Sequence, residues 1–145
     1  MIDAIVFAAA VAAGPTTAGT ATSAVVSAAR IPTRWQDFAA CVVKRESGGR
    51  RNAQNPTSSA QGLYQFLDSQ WRHGLPYMVA ARLREAGMSK AAAKSLRIKL
   101  QATPIKYWRE EYQTAGFVAV LLAENGRGWR HWSLPGSRCE GLVPR

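Results

Sequence analysis

The stretch CVVKRESGGRRNAQNPTSSAQGLYQFLDSQW, residues 41–71, begins as a helix with an apolar face, places a carboxylate where that face continues, and then stops at Ser47, Gly48 and Gly49. Upstream, Thr33 and Gln36 have the spacing of a capping box ahead of an apolar repeat at Trp35, Phe38, Ala39 and Val42. A helix is therefore expected from Pro32 to about Ser47. Glu46 lies four residues beyond Val42 and seven beyond Ala39, on the stripe that points inward, whereas Lys44 and Arg45 do not. Desolvation at that position and the negative end of the helix dipole both disfavour the charged carboxylate, while Arg45 and Arg50 oppose them. A carboxylic acid that keeps its proton there suits general-acid cleavage of a glycosidic bond. The competing reading is a rim residue paired with an arginine.

Downstream, residues 48–62 are rich in Gly, Asn, Pro and Ser and read as a long loop, with at most a small hairpin after Glu46. Asp68 is expected to cap a short helix through Trp71, and Pro76 to open a further helix closing at Gly87. Ser89 caps KAAAKSLRIKLQA. Thr103 and Pro104 form a cap and first-turn pair for IKYWREEYQTA, ended by Gly116. The run FVAVLLAEN, residues 117–125, is apolar almost all round and suits a helix in the domain centre. The expected fold class is mainly α, one domain of five or six helices.

The chain has 145 residues, the size of one ordinary domain, and 47% hydrophobic against 19% charged residues argues that it folds. Nineteen Lys and Arg against nine Asp and Glu give a formal charge of +10, which favours polyanions such as nucleic acid, anionic lipid or an anionic cell wall. The basic residues are scattered and no recognition-helix signature appears, so nucleic acid is not the expected partner. Lys90, Lys94 and Arg97 follow helical spacing as one basic stripe, either a docking stripe or a solvated face. Cys41 and Cys139 stand without a CxxC or zinc-like spacing, so no metal site is expected. They are either a disulfide or two thiols; a bond would point to a compartment outside a reducing cytosol.

From Met1 to Arg30 the only charged residues are Asp3 and Arg30, and Ala, Thr, Val and Gly dominate. The run Ile5 to Gly14 is too short for a membrane span and resembles the apolar part of a signal peptide without its positive flank. An atypical export signal and a non-catalytic arm remain alternatives for residues 1–30, with the domain proper at 31–140. The tail Leu142 to Arg145, LVPR, looks like the remnant of a thrombin cleavage site.

In order along the chain, ESGG at 46–49, the Asn/Pro loop, QGLYQF at 61–66 and LLAENGRGW at 121–129 resemble the motifs of the soluble lytic transglycosylases, over about residues 31–132. The chain is also similar to resuscitation-promoting factors and phage cell-wall lytic domains. The resemblance implies a lysozyme-like fold, a peptidoglycan glycan substrate, no cofactor, a monomer, and a place in the cell wall, periplasm or virion. It makes Glu46 the catalytic acid, and Gln65 the glutamine that lines the sugar cleft, with Gln61, Gly62 and Leu63 leading into it. Tyr64 stands where that family has Met and is a candidate sugar platform, as is Trp129; Trp71, Trp108 and Trp132 are further tryptophans of which at least two of the four are expected to be structural. Asn55 sits near the family's Ser-Pro position, with Thr57 or Ser58 supplying the hydroxyl, and Ala123, Glu124 and Asn125 fall at the Ala-Tyr-Asn motif. A hydrolase needs a second carboxylate, for which Asp68 and Glu124 are the candidates. A transglycosylase does not, because the muramic acid C6 hydroxyl attacks its own anomeric carbon. A non-catalytic basic binding module is the reading from another class.

Overall fold

The computed structural model describes residues 17–133 and 138–145. The apolar run at Ile5 to Gly14 lies outside the described residues. The architecture is mainly helical, as the sequence predicts: α1 (Thr17–Ala28), α2 (Gln36–Ser47), α3 (Asp68–Glu85), α4 (Lys90–Gln101) and α5 (Glu110–Gly126). The one sheet is a two-residue antiparallel pair, β1 (Ala60–Gln61) and β2 (Phe66–Leu67), with Ala60 opposite Leu67. None of the described helices is long and apolar enough to cross a membrane.

The apolar run at 117–121 occupies the centre, with Phe117, Val118, Val120 and Leu121 all buried. α3 and α4 form an antiparallel hairpin across a turn at Gly87, and α3 packs on α5 with Leu75 against Gly116, while Val79 and Leu83 are buried in the same core. α1 adds Ala24, Val25 and Ala28 to the same core, small residues that allow close approach of neighbouring helices. Its last turn is tied down where Arg82 Nε donates to the Ala28 carbonyl at 3.1 Å.

Several boundaries differ from those expected, each for a packing reason. Thr33 and Gln36 do not form a capping box: residues Thr33–Trp35 make a 3₁₀ turn and no side-chain cap bond is present. Asp68 begins no short helix, because α3 runs unbroken from Asp68 to Glu85 with Pro76 inside it. Pro76 is buried beside Leu75, so core contacts offset the hydrogen bond a mid-helix proline forfeits. Gly116 ends nothing; it sits mid-helix in α5, where a Cβ would meet the Leu75 side chain at 3.2 Å. Ser89 behaves as predicted, accepting from Ala92 N at 3.2 Å.

The regular backbone of α5 breaks at Ala123 (ψ 167°), after which Glu124 and Asn125 are both left-handed, at φ 54° and 57°. This kink folds the 3₁₀ segment Gly128–Trp132 back over the helix end. Only glycine fits at 128, since a side chain there would run into the Val120 carbonyl. Beyond it, a 3₁₀ turn at Arg138–Leu142 brings Cys139 to Cys41, and the two form a disulfide with Cα atoms 5.6 Å apart. Val143, within the tail set aside in the sequence, packs against the core.

The disulfide closes a loop spanning 98 positions. In the chain-entropy model such a closure is worth about 4 to 5 kcal/mol. Reduction, or Cys41→Ser, is expected to lower the melting temperature by about 15 °C. Thermal denaturation with and without reductant measures it, and an unchanged midpoint would show the bond to be energetically idle.

Candidate functional site

The end of α2 carries Glu46 because Ser47 fixes the last turn. Ser47 is 3% exposed; its hydroxyl donates to the Val43 carbonyl at 3.1 Å and accepts from Gly49 N at 3.2 Å. The buried hydroxyl thereby occupies backbone groups that a helix end otherwise leaves unpaired. Gly48 then closes the helix, its N–H on the Lys44 carbonyl at 3.2 Å.

Glu46 is partly buried rather than sunk in the core as its helical stripe suggested. Phe38, Ala39 and Val42 fill the core, and the final turn of α2 projects past it, leaving the Glu46 side chain 22% exposed at the rim. Arg45 grips it, Nε and Nη2 both donating to Oε1 at 2.9 and 2.6 Å. Among the described residues nothing engages Oε2. The same Nη2 donates to the Trp132 carbonyl at 2.6 Å, so Glu46 Oε1 lies within about 5 Å of that oxygen. Arg45 and Cys41 are four apart on α2, so the arginine bridge and the disulfide anchor one face of the helix to the C-terminal segment.

Trp132 belongs to the wall of a hollow of about 450 Å³ formed with Gln65, Gln70, Trp71, Gly74 and His131. Its ring is 5% exposed and fixed by a bond from Nε1 to the Tyr64 carbonyl at 2.9 Å. Trp71 meets Phe66 edge-on at 5.6 Å and His131 edge-on at 5.2 Å, so one aromatic cluster lines the hollow. Gln65 holds a left-handed backbone at φ 52°, unusual for a residue with a side chain, and its amide donates to the Gly62 carbonyl at 3.0 Å. Non-glycine residues in that region carry strain of about 1 to 3 kcal/mol and gather at ligand sites.

The other sequence candidates are dispersed over the loop, the core, the kink in α5 and the start of α3. Asn55, Ser58 and Gln61 build the loop: the Asn55 carboxamide oxygen accepts from Thr57 N and Oγ1, Ser58 Oγ accepts from Ala60 N, and Gln61 Oε1 accepts from Lys106 N at 3.3 Å. Tyr64 is no open platform. It is 2% exposed and stacked on Phe117 with centroids 4.1 Å apart, because the turn between β1 and β2 folds it into the core. Trp129 is half-buried against the core with Arg130 over its ring, Trp108 is fully buried, and Asn125 and Glu124 are exposed at the kink. Asp68 caps no helix and is 6% exposed; Oδ1 accepts from Ile105 N at 2.9 Å and Oδ2 faces Arg72 Nε at 3.3 Å.

Residues that sequence reasoning passed over organise this region. Gln113, fully buried in α5, accepts from Leu63 N at 2.7 Å and donates to the carbonyls of Arg51 and Trp108, both at 3.1 Å. Gly62, at φ 82°, passes so close to Gln113 Oε1 that no Cβ fits between them. His131 and Gln70 complete the hollow. Their only signal in the sequence is adjacency to tryptophan, which does not distinguish a wall from a core.

No family model matches the chain, and no solved structure matches it. Over 30 residues, 21% of the chain, it is 60% identical to proteins described as probable transglycosylase SceD in Staphylococcus aureus strains Newman, Mu3 and USA300. The matched stretch spans 13% of the length of those relatives. A short part of this chain is thus transglycosylase-like.

Two changes probe the supports of the site. Gln113→Leu removes three hydrogen bonds and strands the buried Leu63 N–H, which should cost about 2 to 4 kcal/mol and accelerate amide exchange at Gly62 and Leu63; unaltered exchange would show that the loop does not depend on Gln113. Burial, offset in part by the Thr114 hydrogen bond, pushes the Tyr64 hydroxyl up from 10.0 to about 12, with Glu110 adding to the rise. The unfolded chain ionises first, so this contribution to stability is complete below pH 10 and disappears as pH rises towards 12. Tyr64→Phe should therefore lose about 2 kcal/mol less than the parent protein across that window, by urea denaturation at several pH values; parallel curves would refute it.

Proposed function

We propose that the protein is a peptidoglycan lytic transglycosylase that cleaves the β-1,4 bond between N-acetylmuramic acid and N-acetylglucosamine, with Glu46 as general acid and then general base. The observation that carries this reading is the Glu46 carboxylate itself. One oxygen is clamped by Arg45, the other is unengaged among the described residues, and the Arg45 nitrogen links it to the carbonyl of a hollow-lining tryptophan. Similarity to a probable transglycosylase supports it.

In this reading Arg45 sets the plane of the carboxylate and Oε2 does the proton transfers. Protonated Glu46 gives its proton to the glycosidic oxygen as the bond to the anomeric carbon breaks. The C6 hydroxyl oxygen of the same muramic residue then bonds to that carbon, and ionised Glu46 takes the hydroxyl proton. The products are a free 4-hydroxyl on one fragment and a 1,6-anhydromuramic end on the other, and the acid is regenerated. Intramolecular attack needs no activated water, and orientation lowers much of the barrier. Gln65 and the ring faces of the hollow would hold the sugar chain. Asn55, Ser58 and Gln61 would shape the loop beside it, with Asn125 and Trp129 at the far end of the motif. The disulfide is compatible with work in the cell wall, outside a reducing cytosol.

Turbidity loss of purified cell walls tests this. Glu46→Gln should slow clearing by about 10² to 10⁴ while the protein still sediments with the wall. The wild-type fragments should weigh one water less than reducing sugars. Fragments with reducing ends would indicate a muramidase instead, and undiminished clearing by Glu46→Gln would remove Glu46 from the mechanism.

A further inference from the structure

Between Glu85 and Glu110 the chain carries Lys90, Lys94, Arg97, Lys99, Lys106 and Arg109 and no carboxylate at all. α4 holds the first four of these cations, the 3₁₀ turn Ile105–Tyr107 holds Lys106, and Arg109 stands just ahead of α5. Lys90, Lys94, Lys99 and Lys106 form no ion pair among the described residues. Two exposed rings stand with them: Tyr77, 56% exposed, lies 4.4 Å beneath the Arg97 guanidinium, and Tyr107, 68% exposed, lies 5.2 Å from the Lys106 ammonium. Beside Tyr107 is a hollow of about 240 Å³ whose wall includes Lys99, Thr103, Arg109 and Tyr112. None of these residues lines the hollow beside Trp132.

We propose that the exposed side of α4, from the Lys94 flank to the Lys99 flank and on to the turn at Tyr107, is an exosite for a polyanionic cell-wall polymer carrying a phosphodiester in each repeat, which holds the enzyme on the wall while the site at Glu46 acts on the glycan. The proposal rests on the reading of the protein as a wall enzyme. Charge complementarity sets the class of occupant: uncompensated ammonium groups act as point charges suited to phosphate oxygens, and their field reaches about 8 Å at physiological ionic strength. Size sets the mode of binding. A hollow below the ~300 Å³ of a self-sufficient small-molecule site admits one ring or one phosphate-bearing unit, so useful affinity comes from successive units of a chain meeting successive cations. The exposed tyrosines offer apolar ring surface to the uncharged part of each repeat.

The test uses the full chain and two variants: Lys94→Gln with Lys99→Gln and Lys106→Gln, and Tyr107→Ala alone. Each is co-sedimented over a range of salt with walls that carry a phosphodiester polymer and with the same walls after acid extraction of it. Wild type should bind the polymer-bearing walls about tenfold or more tightly. The triple variant should bind both preparations alike with a flatter salt dependence, and Tyr107→Ala should lose part of the preference. All three should cleave soluble, polymer-free glycan fragments equally. Equal binding of wild type to both walls, or an unchanged preference in the triple variant, overturns the exosite. So does displacement by duplex DNA with the affinity and salt dependence of the polymer, which would mark a nonspecific basic surface. Failure of wild type to cleave the soluble glycan would instead overturn the proposed activity, and the binding arms would still decide the exosite.

Discussion

The geometry around Glu46 depends on one guanidinium. Arg45 spends two donors on a single carboxylate oxygen and shares one of those nitrogens with the Trp132 carbonyl. That arrangement is possible only because the kink after Leu122 and the close pass of Gly128 over Val120 return the chain to the side of α2. The Cys41–Cys139 bond anchors the same helix face one turn earlier. Covalent and ionic ties thus act in series along α2, so that motion of its last turn requires motion of the C-terminal segment as well. The strand-side counterpart is Gln113, whose carboxamide serves Leu63, Arg51 and Trp108 from a position with no exposure. A neutral amide does this without the desolvation penalty of a buried charge.

Much of this was legible in the sequence because it is encoded locally. The helix ending at Ser47, the Ser89 cap and the buried run at 117–121 follow from periodicity and terminus chemistry over a few residues. The hairpin was legible only as a possibility, since the two-residue strands are too short to show alternation. Pro76 and Gly116 were misleading for a shared reason. Each reads as punctuation in isolation, yet each lies against Leu75, where the α3–α5 contact outweighs the local propensity of proline or glycine. Thr33 and Gln36 had the right spacing for a capping box, but a 3₁₀ turn took the place of the first helical turn.

The site was harder to read than the fold. Tyr64 and Gln65 are neighbours in the turn between β1 and β2, where no periodicity says which side chain meets the core. The structure sends Tyr64 onto Phe117 and leaves Gln65 in a left-handed bend at the hollow. Similarly, Trp108 and Trp132 are buried, while Trp71 remains partly accessible because His131 and Phe66 meet it edge-on. Walls assembled from residues 65–74 and 131–132 exist only after α5 has kinked, a long-range event that no window of sequence contains.

The choice between attack by water and attack by the sugar's own hydroxyl turns on whether a second carboxylate is free to act. Asp68 is not free: one oxygen holds the Ile105 amide and the other faces Arg72, an arrangement that fastens the 105–107 turn to the start of α3. Glu124 is exposed in a left-handed turn, where the backbone rather than packing determines its direction. A water nucleophile would need one of these groups to leave its role or to be held by something else. An intramolecular nucleophile needs neither, only a sugar ring held so that its C6 oxygen and anomeric carbon meet. A single carboxylate with one oxygen clamped and the other unengaged among the described residues suits that chemistry, which is why the Arg45 bridge bears more weight in this reading than any count of acidic residues.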